Sequence, residues 1–285
     1  MQKSIIALLL LILIGACNET EKKTDNIQTE TTVAKTETAK PAHVYYASYV
    51  GGFEAEKMDP AQNGTYSNLI NITISTLEDG KATGRSIIAG NDRPFNGTYK
   101  QSGALFEVNA AEPGDDKHDG HFEFTLDTSK LILTGKWYSN DKTIAVPVRK
   151  FELNKKTFVY NADNNFDESI EGAALYTGSE SDEGSHEAVT KKVIEINASK
   201  QKLSSKDVEN LYKGDLELIR NAIYARHGYS FRNRKMRYIF DGLVDWYVPM
   251  NVDVRNDLTA LEKENIDLLK RYENHAEKYY DEFSR

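Results

Sequence analysis

Hydrophobic and polar residues alternate along the middle of the chain, and this pattern predicts β-strands. In the segment Ile70–Ser75 every second residue is isoleucine and the others are polar, which is the period of a half-buried strand. Asp79 and Gly80 follow that segment as a tight hairpin turn. The alternation and the turns recur from residue 44 to residue 161. This part of the chain is therefore predicted to be an antiparallel β-meander that forms a barrel or a sandwich.

Four aromatic residues at alternating positions are predicted to point into this β-domain. They are Phe106, Phe122, Phe124 and Trp137. A barrel of about eight strands has room inside for side chains or for one small ligand, so we expect these rings to fill the interior. The segment Thr134–Trp137 is loosely similar to the barrels of lipocalin-like lipoproteins. That resemblance implies the alternative, which is a carrier of a small apolar ligand.

The last predicted strands of the β-domain change register. Ile144, Val146 and Val148 alternate on one face, whereas Phe151 and Leu153 alternate on the other. One extra residue in a strand reverses the faces, so the pattern predicts a β-bulge near residues 149–150.

The polar run Glu112–His121 has the residue types of a metal site, with two histidines and several carboxylates. It does not have the spacing of a calcium loop, because Lys117 occupies the third position when Asp115 is the first. The run is predicted to be a solvated hairpin turn. We predict no metal site and no cofactor.

From residue 188 to residue 285 the apolar spacing changes to that of helices and predicts a small all-α module. Ser204 and Asp207 have the spacing of a capping box at the start of a helix. Gly214 is predicted to end that helix, and Asp215 is placed to cap the next one. The fold class predicted for the whole chain is therefore α+β, with two domains.

The second helix of this module has one apolar face, since Leu216, Ile219 and Ile223 follow one another at helical spacing. Gly228 stands where a helix commonly ends in the left-handed conformation. A final helix is predicted from about Leu258 to Tyr280.

The N-terminus has the pattern of a targeting segment, because Lys3 precedes the short apolar stretch Ile5–Ile14. The following residues end in Cys17 and resemble the lipobox of bacterial lipoproteins. The resemblance implies a signal peptide over residues 1–16 and a lipid on Cys17, which anchors the protein to a membrane of the bacterial cell envelope. Residues 17–43 are predicted to be a flexible tether, since they are polar and contain no aromatic residue.

Charge and cysteine content restrict the classes of partner. The formal net charge is −8, from 44 acidic and 36 basic residues, and no basic stripe offsets it. Such a chain is not expected to bind nucleic acid. Cys17 is the only cysteine, so the chain has no internal disulfide. Residues 162–187 are polar and acidic, and are predicted to link the two domains.

Residues of the helical module resemble the YARHG domain, a small module of bacterial extracytoplasmic proteins. The resemblance rests on the run Tyr224–Gly228, the preceding segment Leu216–Ile223, Phe231, the segment Trp246–Pro249, and Leu258 to Ile266. It covers roughly Leu203 to Tyr272, about a quarter of the chain. It implies an extracytoplasmic location and assigns no biochemical activity.

Polar residues on the predicted helices form a candidate network. They are Arg220, Asn221, Tyr224, Arg226, His227, Glu262 and Asn265. Helix packing would bring them together, either to fix two helices in register or to form a binding pocket. His227 with Glu217 or Glu262 would also be able to carry out acid–base chemistry at neutral pH.

No nucleophile elbow, zinc-protease motif or phosphate-binding glycine loop occurs in the sequence. We therefore assign no catalytic residue and expect a non-catalytic, lipid-anchored protein that binds an extracytoplasmic protein or a cell-wall glycan. The alternatives are a hydrolase of envelope polymers that uses His227, and the carrier of a small apolar ligand.

Overall fold

Eight antiparallel strands form a closed barrel in the first half of the protein. The computed structural model describes residues 43–62, 64–114, 118–175 and 187–279. The strands are β1 (Ser48–Lys57), β2 (Ser67–Glu78), β3 (Lys81–Ile88), β4 (Asn91–Ser102), β5 (Leu105–Ala111), β6 (Gly120–Asp127), β7 (Ile132–Ser139) and β8 (Val148–Lys156). Each strand pairs with the next, and β8 pairs with β1 to close the barrel. The predicted β-meander is confirmed in its barrel form.

The barrel interior is filled by the apolar residues of the alternating pattern. The aromatic residues predicted to point inward, Phe106, Phe122, Phe124 and Trp137, are all buried in one cluster. Phe122 also contacts Phe95, with ring centroids 5.7 Å apart. This agrees with the width of an eight-stranded barrel, which side chains are just able to fill.

The predicted hairpin turn between β2 and β3 is correct, whereas the predicted β-bulge is wrong. Asp79 and Gly80 have φ values of 49° and 74°, as a tight turn between β2 and β3 requires. The predicted bulge in β8 is wrong, because this strand begins only at Val148 and pairs with β7 without a shift. The irregularity lies in β1, between Ala55 and Lys57. The apolar residues Ile144 and Val146 belong to the connection before β8, so their alternation does not continue into the strand.

Five helices form the C-terminal part of the described chain. They are α1 (Lys192–Glu195), α2 (Ser205–Val208), α3 (Lys213–Arg226), α4 (Arg234–Leu243) and α5 (Ala260–Tyr279). A two-stranded ladder of β9 (Ala174–Leu175) and β10 (Glu187–Ala188) precedes them. Helices α3 and α5 pack against each other over their buried faces. A β-barrel followed by a helical module confirms the predicted α+β class.

The start of α2 is as predicted, but its end is not. Ser204 and Asp207 form the capping box. The helix stops at Val208, and Gly214 lies inside the first turn of α3 instead of ending α2. Asp215 does not cap α3, because its carboxylate accepts hydrogen bonds from the amide and hydroxyl of Thr190. Local spacing predicts Asp215 as a cap, but the side chain instead binds Thr190, a residue distant in sequence.

The acidic segment predicted as a linker contributes to the helical core where the structure describes it. Phe166, Ile170 and Leu175 are buried in the same cluster as the apolar faces of α3 and α5. Residues 176–186 of that segment lie outside the described ranges, as do Cys17 and the predicted tether up to residue 42. In the described part of the chain, no helix has both the length and the apolar character needed to cross a membrane.

The helical module packs directly on β2 and on the β3–β4 turn of the barrel. The side-chain amide of Asn71 donates to the carbonyl of Pro249 at 2.9 Å, and the amide of Leu69 donates to Asp241 at 3.1 Å. At the turn, the amide of Gly90 donates to the Ser230 hydroxyl at 2.9 Å. These contacts place the module beside the barrel end that carries the β1–β2 and β3–β4 connections.

Candidate functional site

His227 lies at the C-terminal end of α3, where the chain turns away through Gly228. Gly228 has φ of 73°, the left-handed conformation that the sequence predicted. His227 Nε2 is 2.9 Å from Glu262 Oε2 on α5, and the exposed fractions of the two residues are 5% and 0%. Of the two acidic partners considered for His227, the structure therefore selects Glu262. The other one, Glu217, forms an ion pair with Lys235 at 2.8 Å.

Glu262 belongs to the N-terminal cap of α5. The amide and hydroxyl of Thr259 donate to its Oε2, and the Thr259 hydroxyl accepts from the Glu262 amide, which is the reciprocal arrangement of a capping box. Tyr160 donates its hydroxyl to Oε1 at 3.1 Å and stacks on the His227 ring at 4.3 Å between centroids. The carboxylate thus joins α5, the end of α3 and the chain that leaves the barrel.

The charge on Glu262 is stabilised in spite of its burial. Burial by itself raises the pKa of a carboxyl group, but hydrogen bonds from His227, Ser199 and Thr259 outweigh it and hold the pKa of Glu262 at about 2. An ionised carboxylate only accepts hydrogen bonds, so His227 Nε2 is the donor. His227 Nε2 and the Glu262 carboxylate are therefore bound to each other inside the module.

Arg226 is the largest fully buried side chain in the described structure. Its guanidinium donates to the Asn164 carbonyl at 2.6 Å and to Ser199 and Asn165, each at 3.3 Å, and it lies over the ring of Trp246 at 5.8 Å. Burial lowers the pKa of Arg226 to about 10, against the opposing effect of Tyr160 and Glu262, so the side chain remains charged at neutral pH. Arg226 therefore connects the end of α3 to Asn164 and Asn165, in the segment that follows the barrel.

The other residues of the predicted network do not join this cluster. Arg220 binds Glu273 of α5 through Nε and Nη2, at 2.5 and 2.9 Å. Asn221 donates to the Glu217 carbonyl of its own helix. Burial raises the pKa of half-buried Tyr224, and Arg220 opposes that shift. The predicted set is therefore divided between several separate contacts.

Asn265 is a buried clamp for the segment before α2. Its Oδ1 accepts from the Leu203 amide at 2.9 Å, and its Nδ2 donates to the carbonyls of Ala198 and Gln201 at 2.7 and 2.8 Å. The sequence predicts a network that joins Asn265 with residues such as Arg220, Asn221 and Glu262. The amide instead satisfies backbone groups of an irregular segment, which sequence spacing does not reveal.

A separate site lies at the barrel end that carries the β1–β2, β3–β4, β5–β6 and β7–β8 connections. A cavity of 330 Å³ opens there, which we call the mouth recess. Its principal lining residues are Phe53, Asn68, Arg93, Glu112, Trp137 and Arg149. Neither His227 nor Glu262 lines it. The volume is at the lower end of the range of about 300–1,000 Å³ that small-molecule sites occupy.

One side of the mouth recess contains a buried carboxylate. Glu112 is 4% exposed and accepts from the Ser86 hydroxyl at 3.0 Å, the Gly120 amide at 3.0 Å and Trp137 Nε1 at 3.1 Å. Burial raises the pKa of Glu112, although these donors and Arg93 counteract the shift. The prediction of a solvated turn over Glu112–His121 is therefore wrong for Glu112, which continues the inward face of β5.

The mouth recess is also lined by Arg149, which is 8% exposed. Its Nη1 donates to the carbonyls of Phe53 and Tyr66 at 2.9 and 3.3 Å, and its Nη2 donates to the Thr65 carbonyl at 2.7 Å. Burial, and then the nearby charge of Arg237, lower the pKa of Arg149 to about 10, so it is charged at neutral pH. In the described part of the chain no carboxylate lies within ion-pair distance of it.

Sequence reasoning did not identify the mouth recess, although a signal was present. Glu112 follows Phe106, Val108 and Ala110 at inward positions, and Arg149 precedes Phe151 and Leu153 in the same way. A charged residue that continues an inward apolar face is a candidate for function or for a buried network. Across the described residues, no group of three His, Cys, Asp or Glu side chains is arranged to hold a metal ion.

Comparison with known proteins classifies the helical module. No curated protein is significantly similar to the chain. Residues 191–274, which include α1 to α4 and most of α5, match the model of the YARHG domain family, so the C-terminal part of the chain is a YARHG domain that follows a β-barrel.

Proposed function

We propose that this protein is a non-catalytic binding protein of the bacterial cell envelope, anchored by a lipid on Cys17, and that it binds its partner at the mouth recess. The partner is an extracytoplasmic protein or a cell-wall glycan, of which a small group enters the recess. The observation that carries the proposal is a cavity in which buried polar side chains lie beside two aromatic walls, Phe53 and Trp137. Convergent polar groups in an apolar cavity are typical of ligand sites.

The contacts of His227 argue against the hydrolase alternative. A general base must come within hydrogen-bond distance of the proton that it removes. His227 Nε2 is bound to Glu262, one face of its ring is covered by Tyr160, and the residue is buried. The pair is better explained as a connection between α3 and α5, which holds the YARHG domain together.

The filled barrel argues against a carrier that encloses its ligand. The aromatic cluster around Phe122 occupies the middle of the barrel. A ligand therefore has access to the open end, and a group of moderate size would be held there while the rest of the partner stays outside.

Site-specific photo-crosslinking in bacterial cells tests the binding site. A photoreactive residue at Asn91, which is exposed on the rim of the mouth recess, should capture the partner. The matched control is Gln101, which is exposed at the opposite end of the same strand. Capture at Asn91 and not at Gln101 supports the proposal, whereas equal capture at both positions, or capture at neither, contradicts it.

Mass spectrometry of the mature N-terminus tests the membrane anchor. We expect cleavage before Cys17 and acyl chains on that residue, and we expect Cys17→Ser to block this maturation because the chain has no other thiol. An unmodified Cys17, or cleavage at another position, would remove the lipid anchor from the proposal.

A further inference from the structure

We infer that the mouth recess binds a carboxylate, held by Arg149 and Asn68, on a ligand whose apolar part lies against Phe53 and Trp137. The inference rests on the proposed function, since it names the chemistry of the group that enters the recess. It is drawn from the hydrogen-bond donors that the fold leaves unused.

Arg149 keeps two N–H groups for a ligand. A guanidinium has five N–H donors, and the carbonyls of Phe53, Tyr66 and Thr65 use three of them. One N–H on Nε and one on Nη2 remain. In the described structure, every fully buried side-chain nitrogen has a hydrogen-bond partner. Nε of Arg149 has no such partner, so it is not fully buried, and Arg149 lines the recess.

The same pair of nitrogens binds a carboxylate elsewhere in this protein. Arg220 holds Glu273 through Nε and Nη2 at 2.5 and 2.9 Å. Arg255 uses the same edge on Asp253. A planar carboxylate matches this edge of the guanidinium in two parallel hydrogen bonds. Arg149 has unused donors on the same two nitrogens, Nε and Nη2.

Asn68 supplies a second donor. It is largely buried and lines the recess, and its Oδ1 accepts from Arg237 Nε at 3.2 Å. That contact orients the amide and leaves Nδ2 without a protein acceptor, so Nδ2 is also accessible. A ligand oxygen would be an acceptor for Nδ2 of Asn68 and for the unused N–H groups of Arg149.

The charges close to Arg149 favour an anion as its partner. Arg149 has no carboxylate within ion-pair distance in the described ranges, and Arg237 adds positive charge nearby. Glu112 carries the opposite charge in the same recess, but its oxygens accept from Ser86, Gly120 and Trp137 and form no ion pair with Arg149. A buried cation without an anionic partner is costly, and a ligand carboxylate would remove that cost.

Titration calorimetry with the mature full-length chain tests the inference. The probes are 3-phenylpropionate and its uncharged amide, which differ only in the carboxylate. We expect the acid to bind about 10- to 100-fold more tightly than the amide, as for a hydrogen bond to a charged group. Arg149→Gln should remove this difference, and Arg255→Gln, which changes an exposed arginine, should leave it unchanged.

A second variant covers the case in which Arg149→Gln does not fold, since Arg149 also holds the β1–β2 connection. Asn68→Ala retains Arg149 and should weaken the acid several-fold more than the amide. Equal binding of acid and amide by the unmodified chain overturns the carboxylate inference but leaves the proposed function standing. Binding of neither probe, with no crosslink at Asn91, removes both.

Two further probes identify the source of the carboxylate. An acetylated dipeptide with a free C-terminus is compared with the same dipeptide amide, and a preference for the free acid supports a peptide chain end as the ligand group. Binding of 3-phenylpropionate without that preference supports a small organic acid. Inorganic phosphate that binds more tightly than either acid overturns the inference.

Discussion

Replacing Glu262 with glutamine tests whether the His227–Glu262 pair is a structural connection. The change keeps the shape of the side chain and removes its charge. The pKa of Glu262 is lowered from 4.5 to about 2 in the folded protein. Since one pKa unit corresponds to about 1.4 kcal/mol, the ionised form contributes about 3 kcal/mol to the free energy of unfolding at pH 7. Glu262→Gln should lose about that amount.

The pH dependence gives this prediction a definite sign. A carboxyl group with a lowered pKa stabilises the fold above its unfolded-state pKa, and the contribution is lost as the pH falls through its folded-state pKa. The difference between wild type and Glu262→Gln should therefore be about 3 kcal/mol at pH 7 and about 1 kcal/mol at pH 2.5. Other carboxylates titrate in both proteins, so their contributions cancel in the comparison, which reports the His227–Glu262 pair.

Urea unfolding followed by far-ultraviolet circular dichroism measures the difference. We expect the midpoint for Glu262→Gln to fall by about 1 M at pH 7. The matched control is Glu264→Gln, two residues further along α5, where the carboxylate is exposed and forms a surface pair with Lys202. Its midpoint should hardly change. Equal midpoints for wild type and Glu262→Gln at pH 7 would refute a structural role for the pair.

The other predictions concern the contact between barrel and module, and the buried amide of the YARHG domain. Burial raises the pKa of Asp241 to about 6, so its own contribution to stability should fall by about 2 kcal/mol between pH 4.5 and 7.5. In urea unfolding, the stability of wild type relative to Asp241→Asn should therefore fall by about that amount between these two pH values, and an unchanged difference would contradict the shift. Gly90→Ala should lower the free energy of unfolding by at least about 2 kcal/mol, because φ is 73° and a Cβ would lie 3.0 Å from the Arg232 amide nitrogen. The control Gly80→Ala has φ of 74° but open space around the Cβ, so it should lower it by about 1 kcal/mol. Equal losses would contradict the close approach at Gly90. Asn265→Ala should cost about 3 kcal/mol in the same assay, since it removes the partners of one backbone amide and two carbonyls, and a loss below about 1 kcal/mol would contradict the clamp.

The sequence predicted the elements of the fold better than their ends. Alternation identified the β-meander, because inward and outward positions differ strongly in a small barrel. It failed at residues 144–146, where apolar residues lie in the connection before β8 and line the mouth recess. The sequence does not distinguish a closed barrel from a sandwich, since the pairing of β1 with β8 depends on contacts distant in sequence.

The candidate site was predicted only in part for the same reason. Helical spacing brought His227 and Glu262 together correctly, because α3 and α5 are neighbours. It missed Tyr160 and Ser199, which come from segments without periodicity. The mouth recess was missed because Arg149 was assigned to a bulge and Glu112 to a turn.

Fluorine NMR of the chain labelled with 5-fluorotryptophan tests the central claim most directly, namely that ligand binds at the barrel mouth and not at the YARHG polar cluster. The protein has two tryptophans, of which Trp137 lines the mouth recess and Trp246 contacts Arg226. Trp137→Phe assigns the two resonances. On titration with 3-phenylpropionate, the Trp137 resonance should move in a saturable way while that of Trp246 stays in place. Movement of the Trp246 resonance with a stationary Trp137 resonance would contradict the account.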